Sequence, residues 1–337
     1  MYGMRLFKEI NDKKSRCLVC NHFCVIKENE TGKCGVRKNI NGKIFSLVPD
    51  IINASGIDPV EKKPLFHIMP GSLSYSIASP GCNFSCLFCQ NAELAQTPSI
   101  FSKIYGTRVS PKFIVKNAVI NECKSISYTY SEPSVFFELM RETSIEAKKN
   151  DLLNLMVSNG FMSGLILEQL KDFIDGANID LKSFNPDFYE KVCGGRLRPV
   201  LENLKKIRKY GIFLEITTLI IQGYNDSKKE IDQIVSFIKN ELGEDTPWHV
   251  SAFYPAFRMQ NAAPTNKNFI INAIESASKQ GLKYVYSGNI ISKDNESTYC
   301  PKCRKKLIER QGFYVIKNRI KKGKCPDCGQ YINGIFE

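Results

Sequence analysis

No stretch of the 337 residues approaches the ~18 consecutive apolar residues that a membrane-crossing helix needs, so neither a span nor a membrane partner is expected. The opening MYGMRLFKEINDKK has no apolar core behind basic residues, so no secretory leader is expected and the chain reads as cytoplasmic. Internal repeats and low-complexity linkers are absent as well. Acidic residues are the minority, 34 against 47 lysines and arginines, which gives a net charge of +13. A hydrophobic fraction of 43% and a charged fraction of 24% exclude a globally disordered or collagen-like chain. The length suits one large domain with appendages.

Cysteine is what the sequence has in quantity. There are 13, and without an export signal such a count points to metal or redox chemistry rather than disulfides. Cys17, Cys20, Cys24 and Cys34 form one group, Cys82, Cys86 and Cys89 a second, and Cys300, Cys303, Cys325 and Cys328 a third. Cys123 and Cys193 stand alone and read as ordinary semi-buried thiols. The basic excess sits in the two outer groups. Residues 1–43 carry a net +6 and residues 300–325 a net +9, so the rest is slightly acidic. Lysines that offset the charge of metal-bound thiolates explain part of this. An electrostatic footprint for nucleic acid or an acidic partner is the competing reading.

From about residue 72 to 290, strand-like runs alternate with helical patterns. The strands are Leu73–Ala78, Ile126–Tyr130, Leu153–Val157, Ala177–Leu181, Phe213–Ile220, His249–Phe253 and Tyr284–Tyr286. Helical patterns fall near residues 110–122, 133–149, 164–174, 197–210, 227–241 and 266–280. Six strand–helix repeats imply an α/β fold with a parallel sheet and right-handed crossovers. A partial (β/α)6 TIM-like barrel is expected, with a flat doubly wound sheet as the alternative. Three domains are expected: residues 1–68 as a cysteine module and lead-in, 69–290 as the barrel, and 291–337 as a C-terminal module.

The first barrel strand runs into Ser-Pro-Gly-Cys82-Asn-Phe-Ser-Cys86-Leu-Phe-Cys89, a C-x3-C-x2-C spacing. Three thiolates on a tight loop can hold three irons of a 4Fe-4S cube and leave the fourth open. A zinc site would want a fourth ligand, and none is near in sequence. This motif, with aromatic Phe88 before the last cysteine, resembles the cluster motif of radical S-adenosylmethionine (SAM) enzymes. The resemblance implies that the open iron chelates SAM, and that one electron cleaves SAM to a 5′-deoxyadenosyl radical that abstracts hydrogen from a substrate.

Further residues carry over at the expected strand ends. Thr129-Tyr-Ser-Glu132-Pro133 looks like the superfamily's Gly-Gly-Glu-Pro segment without its glycines, which implies that Glu132 binds the SAM amino group. A helix N-terminal carboxylate is the plainer reading of Glu132. Ser158-Asn159-Gly160 resembles a ribose-contacting turn, or is simply a turn. Asp180-Leu-Lys182 resembles the Asp-x-Lys of glycyl-radical activating enzymes, against a surface ion pair. Phe88 would sit beside the adenine or only pack the loop. His249 is a SAM contact or a core histidine.

The resemblance tightens outside the triad. Thr31-Gly-Lys-Cys34-Gly-Val-Arg37, Asp58-Pro-Val-Glu-Lys-Lys-Pro-Leu-Phe-His67, Tyr128-Thr-Tyr-Ser-Glu-Pro133 and Asp180-Leu-Lys-Ser-Phe184 occur in order, with the cysteine modules at either end. Together they resemble the radical SAM enzyme of the AmmeMemoRadiSam system, related to pyruvate formate-lyase activating enzymes. The resemblance implies Memo-like and AMMECR1-like proteins as partners and a ferredoxin or flavodoxin as reductant. The family pattern has Asn where Ser131 stands and Pro where Gln222 stands. The first difference bears on hydrogen bonding near SAM, the second on a turn.

Cys300-Pro-Lys-Cys303 and Cys325-Pro-Asp-Cys328 are paired C-x-x-C knuckles around the strand signal Gly-Phe-Tyr-Val-Ile. They read as a zinc ribbon, with zinc–sulfur bonds of ~2.3 Å. The N-terminal C-x2-C-x3-C-x9-C is less regular, with His22 as a competing ligand. Zinc, a second cluster that relays electrons, and unligated thiols remain open. Lys63 and His67 could reach the barrel mouth or merely cap the barrel bottom. Function narrows to three readings: a radical enzyme acting on a protein as a glycyl-radical activase, one modifying RNA, or a non-catalytic cluster-binding protein. The substrate stays unidentified, with a macromolecule expected.

Overall fold

The run Leu73–Ala78 is buried at every position after its first, as a strand covered on both faces requires. It starts the parallel part of the central sheet in the computed structural model, which describes residues 6–11, 13–290, 292 and 294–337. Met1 and Ile291, where the first and last expected domains begin, lie outside the described residues. The sheet strands are β1 (Ala54–Pro59), β2 (Leu73–Ala78), β3 (Ser125–Tyr128), β4 (Leu153–Ser158), β5 (Gly176–Asp180), β6 (Phe213–Ile220), β7 (Trp248–Ala252) and β8 (Val285–Gly288). They lie side by side in sequence order. All neighbours from β2 to β8 are parallel, and only β1 pairs antiparallel, along the whole of β2. The segment before residue 68 therefore supplies one edge of the main sheet.

Six helices return the chain between these strands: α1 (Pro111–Ile120), α2 (Phe137–Lys148), α3 (Gly164–Leu170), α4 (Leu197–Lys209), α5 (Lys228–Phe237) and α6 (Lys267–Lys279). Ser110, Ser163 and Ser227 cap α1, α3 and α5 by accepting a backbone N–H, which satisfies donors the helix leaves free. On α4, Leu197, Val200, Leu204 and Ile207 are buried, while Lys206 and Lys209 are exposed. Each such buried aliphatic contributes ~1.5–3 kcal/mol. Side chains from the loop after β2 to the end of β8 line one cavity, so the sheet curves around it rather than lying flat.

Two differences from the expected elements have local causes. The strand expected to reach Tyr130 stops at Tyr128, because Tyr130 takes a left-handed φ of 64°. The last strand is shifted forward to Val285–Gly288. At the N-terminus, Phe7–Asn11, Lys14–Cys17 and Val25–Ile26 form a three-stranded antiparallel sheet, followed by the hairpin Arg37–Ile40/Lys43–Ser46. At the C-terminus, β9 (Thr298–Tyr299), β10 (Lys306–Gln311) and β11 (Tyr314–Asn318) form another. Gly-Phe-Tyr-Val-Ile thus turns at Gly312-Phe313 and enters β11, with β10 as an unforeseen partner. No helix among the described residues is long and apolar enough to cross a membrane.

Candidate functional site

The triad loop leaves β2 and is fixed by the chain at 192–195. Ser85 N–H donates to the Cys193 carbonyl at 2.9 Å and Leu87 N–H to Val192 at 3.0 Å. The approach is so close that a Cβ on Gly194 would lie 2.3 Å from Ser85 Oγ, and one on Gly195 2.1 Å from the Phe84 ring. Cys193 is accordingly fully buried against the loop rather than semi-buried. Cys123 is buried too. Cys86 is buried, and Cys82 and Cys89 are half-buried.

The loop opens into a cavity of about 1640 Å³. Cys82, Cys86, Cys89, Phe88, Glu132, Ser158, Asn159, Asp180, Lys182 and His249 all line it. The pleat and parallel register explain this: each strand ends at the same side of the sheet, so the residues just after each end converge.

Glu132 is 2% exposed. Its Oε1 accepts from Ser134 N–H at 3.1 Å and Ser158 Oγ at 2.9 Å, and its Oε2 from Asn159 N–H at 3.0 Å. Burial raises its pKa, and these donors only partly oppose the rise. Glu132 is thus both a helix-capping carboxylate and a cavity-lining one. Asn159 Nδ2 donates to Asn83 Oδ1 at 2.7 Å and lies 3.8 Å from Cys82 Sγ. That amide ties the end of β4 to the triad.

Asp180 and Lys182 form an ion pair at 2.8 Å inside the cavity rather than on the outer surface. Burial works against the Lys182 ammonium, but Asp180 and Cys86 outweigh it and hold its pKa well above the lysine range. Lys182 Nζ also lies 5.6 Å from the centre of the Phe88 ring. His249 is 1% exposed and bonds Glu215 Oε2 at 2.6 Å, so it belongs to the core while reaching the cavity wall. Ser131 Oγ donates to the Ser79 carbonyl at 2.6 Å, which joins β2 to the Glu132 segment. Gln222 is exposed in a turn.

Of the two lead-in candidates, Lys63 lines the cavity and His67 is not among its lining residues. Lys63 Nζ donates to Asp58 Oδ2 at 2.6 Å and to Tyr130 Oη at 3.1 Å. Tyr130 Oη donates in turn to Asp58. Burial lowers the Lys63 pKa to about 8 despite Asp58. Sequence reasoning missed Asp58 and Tyr130 because nothing in the chain pairs residues 72 positions apart. Also missed was the wall contributed by the C-terminal hairpin, which includes Lys306, Glu309, Phe313, Tyr314 and Ile316.

The donor set fits a polynuclear cluster. Among the described residues, the one group of three or more metal-ligating side chains whose ligand atoms all lie within 4.8 Å of one another is Cys300, Cys303, Cys325 and Cys328. The triad is spread more widely, as thiolates on separate irons are. It faces a cavity that also holds a buried carboxylate and amide beside Cys82.

A family model described as the radical SAM superfamily matches residues 76–238. The uncharacterized protein MJ0808 of Methanocaldococcus jannaschii is 41% identical over 329 residues, covering 97% of both chains. The 4-hydroxyphenylacetate decarboxylase activating enzyme of Clostridioides difficile is 24% identical over 122 residues, covering 35% of this chain and 39% of that one. SuiB of Streptococcus suis, in its structure bound to S-adenosylmethionine, shares the fold with a TM-score of 0.52 at 14% identity. That likeness covers 68% of this chain and 53% of SuiB.

Proposed function

The chain belongs to the radical SAM superfamily and is an enzyme of it, and we propose that it acts on a macromolecular substrate as the radical SAM enzyme of the AmmeMemoRadiSam system. The family implies a 4Fe-4S cluster and SAM. The observation that carries the reading is the convergence of the triad, Glu132 and Asn159 from three successive strand ends on one cavity. Cys82, Cys86 and Cys89 would hold the cluster, which would supply the one-electron reduction that cleavage of SAM and hydrogen abstraction from a substrate require.

The protein's residues do the positioning. The three thiols line the cavity and would hold the cluster there. The Glu132 carboxylate, fixed by Ser158, Ser134 and Asn159, would receive the SAM ammonium. Ser158 and Asn159 would border the ribose, Phe88 the adenine, and the Asp180–Lys182 pair the polar edge of the cofactor, all of them cavity-lining residues. His249 fixes the far wall through Glu215.

The C-terminal hairpin supports a macromolecular substrate. Tyr314 is 71% exposed and Ile316 60%, yet both border the cavity. β11 is an edge strand with its outer side unpaired among the described residues, which is the geometry that accepts an extended segment. The likeness to an activating enzyme supports an activase role on a protein backbone. RNA is the second reading, favoured by the exposed lysines 317, 321, 322 and 324 beside exposed Phe313 and Tyr314. RNA binding that weakens steeply with salt would select it.

Zinc on the C-terminal cysteines, a ferredoxin or flavodoxin reductant, Memo-like and AMMECR1-like partners, a cytoplasmic setting and the three-domain division belong to the same proposal. The test is spectroscopic. The anaerobically reconstituted, reduced protein gives a cluster signal by electron paramagnetic resonance that changes on adding SAM. A Cys82→Ala/Cys86→Ala/Cys89→Ala variant gives no SAM-dependent change. A wild-type signal indifferent to SAM contradicts the reading.

A further inference from the structure

Cys17, Cys20, Cys24 and Cys34 come from separate strand ends and turns of the N-terminal module, yet they line one small cavity with His22, Arg37 and Asn83. Cys17 ends one strand and Cys24 precedes the next, and the Cys17 N–H donates to the Cys24 carbonyl at 2.9 Å. Cys20 bridges to Met162, just beyond the end of β4. Cys17 and Cys34 are buried, and Cys20 and Cys24 are half-buried.

Spacing separates this set from the C-terminal one. Zinc draws four thiolates to ~2.3 Å from one ion, so their sulfurs sit about 4 Å apart. The C-terminal sulfurs do so, with Cys300 and Cys328 at 3.5 Å and Cys303 and Cys325 at 3.7 Å. No three of the N-terminal cysteines and His22 lie within 4.8 Å of one another. They share a cavity but stand apart, as the triad does. Thiolates shared among several irons stand apart in this way.

A buried donor points to the missing acceptor. Arg37 is 2% exposed, and its two terminal nitrogens hold Glu138 and the Val135 carbonyl. Its Nε–H is buried with no hydrogen-bond partner among the described residues. A sulfide or thiolate in the cavity would accept that N–H, and the guanidinium would offset the negative charge of a four-thiolate cluster.

The cavity also lies against the triad. His22 Nε2 is 2.8 Å from the Asn83 carbonyl, one residue past Cys82. On the other side of Cys82, Gly81 sits so close that a Cβ there would fall 2.9 Å from Val36 Cγ1 and 3.1 Å from the Cys34 carbonyl oxygen. Gly81-Cys82-Asn83 therefore runs from the triad along the backbone of the N-terminal module, and Asn83 lines the N-terminal cavity as well.

We propose that Cys17, Cys20, Cys24 and Cys34 hold an iron–sulfur cluster that passes electrons to the cluster on Cys82, Cys86 and Cys89. The relay rests on the radical reading, whereas the cluster itself does not. A reduced ferredoxin or flavodoxin gives up one electron and is oxidised. The N-terminal cluster is reduced and then reoxidised as that electron moves to the triad cluster, and no bond or proton changes hands.

The decisive protein is Cys82→Ala/Cys86→Ala/Cys89→Ala, reconstituted anaerobically with iron and sulfide. It retains iron and acid-labile sulfide in equal amounts, about two or four of each per chain, and loses both when Cys20→Ser and Cys34→Ser are added. Zinc at these cysteines, or no metal, overturns the proposal. Should the triad variant not fold, as judged by circular dichroism, Cys20→Ser/Cys34→Ser in the otherwise unchanged chain decides. Its iron falls by about two to four per chain, and unchanged iron overturns the proposal. In that variant, freeze-quenched reduction of the triad cluster by reduced flavodoxin slows at least tenfold. An unchanged rate overturns the relay and leaves the cluster standing. Loss of SAM response with both clusters present would count against the radical reading alone.

Discussion

Glu132 Oε2 takes the backbone N–H of Asn159 at 3.0 Å, so the loops after β3 and β4 meet on one buried carboxylate. The bond fixes the carboxylate while its neighbour Asn159 reaches Cys82. Charge-assisted hydrogen bonds contribute about 1.5–3 kcal/mol each. Glu132→Gln should therefore weaken SAM binding by about ten- to a hundredfold while leaving triad iron unchanged. Calorimetric titration of SAM with parallel iron analysis checks both. Equal affinity would remove Glu132 from the SAM site.

Gly195 should not tolerate a side chain. An added Cβ would meet the Phe84 ring at 2.1 Å, between Cys82 and Cys86. Gly195→Ala should displace the triad loop and lower triad iron, measured in a background where the other cysteine sets are unchanged. Full iron occupancy with native spectra would show that the loop can yield.

The C-terminal hairpin is anchored by a fully buried ion pair, Arg310 Nε to Glu61 Oε1 at 3.3 Å, both side chains 0% exposed. Removing one partner of such a pair leaves an unpaired buried charge and costs about 3–5 kcal/mol. Arg310→Met should destabilise by that amount, and adding Glu61→Gln should recover part of it. Denaturant unfolding of the two single variants and the double variant measures the coupling.

Acid should loosen the same junction. His67 bonds Tyr286 Oη at 2.7 Å and the Asn333 carbonyl at 2.7 Å. Burial pulls its pKa down from 6.5 to about 4, against the opposing pull of Glu215 and the Asn333 carbonyl. Arg310, His249 and Tyr286 also face it. Between those values the unfolded chain binds a proton that the folded one refuses. The contribution of His67 is therefore present above pH 6.5 and falls as pH drops toward 4, by up to about 3 kcal/mol. Unfolding midpoints at pH 7 and pH 5 should differ more in the wild type than in His67→Gln.

The four C-terminal sulfurs should hold one zinc per chain, retained when the triad is replaced and lost in Cys303→Ser. Metal analysis of the two variants decides, and iron in place of zinc would correct the assignment.

Much of this was legible in the sequence because it is local. β2 and the C-x3-C-x2-C loop are contiguous, and periodicity alone located every parallel strand within a few residues. Glu132, Asn159 and Asp180 were singled out by the family resemblance at expected strand ends, and they line one cavity because parallel strands deliver their ends to one side. What escaped is non-local. The Lys63–Asp58–Tyr130 cluster depends on β1 folding back along β2 and on the left-handed turn at Tyr130. The hairpin wall depends on Arg310 reaching Glu61 across 249 positions. Gly194-Gly195 was readable only as a pair of glycines, since the ring they admit belongs to Phe84, far back in the chain.

The most direct measurement is 5′-deoxyadenosine formed from SAM by the anaerobically reconstituted, dithionite-reduced enzyme, beside the triple variant Cys82→Ala/Cys86→Ala/Cys89→Ala. Product from the wild type that is absent with the variant is the predicted result. No product from a wild-type protein shown to carry the triad cluster and to bind SAM, with or without a candidate substrate, would contradict it.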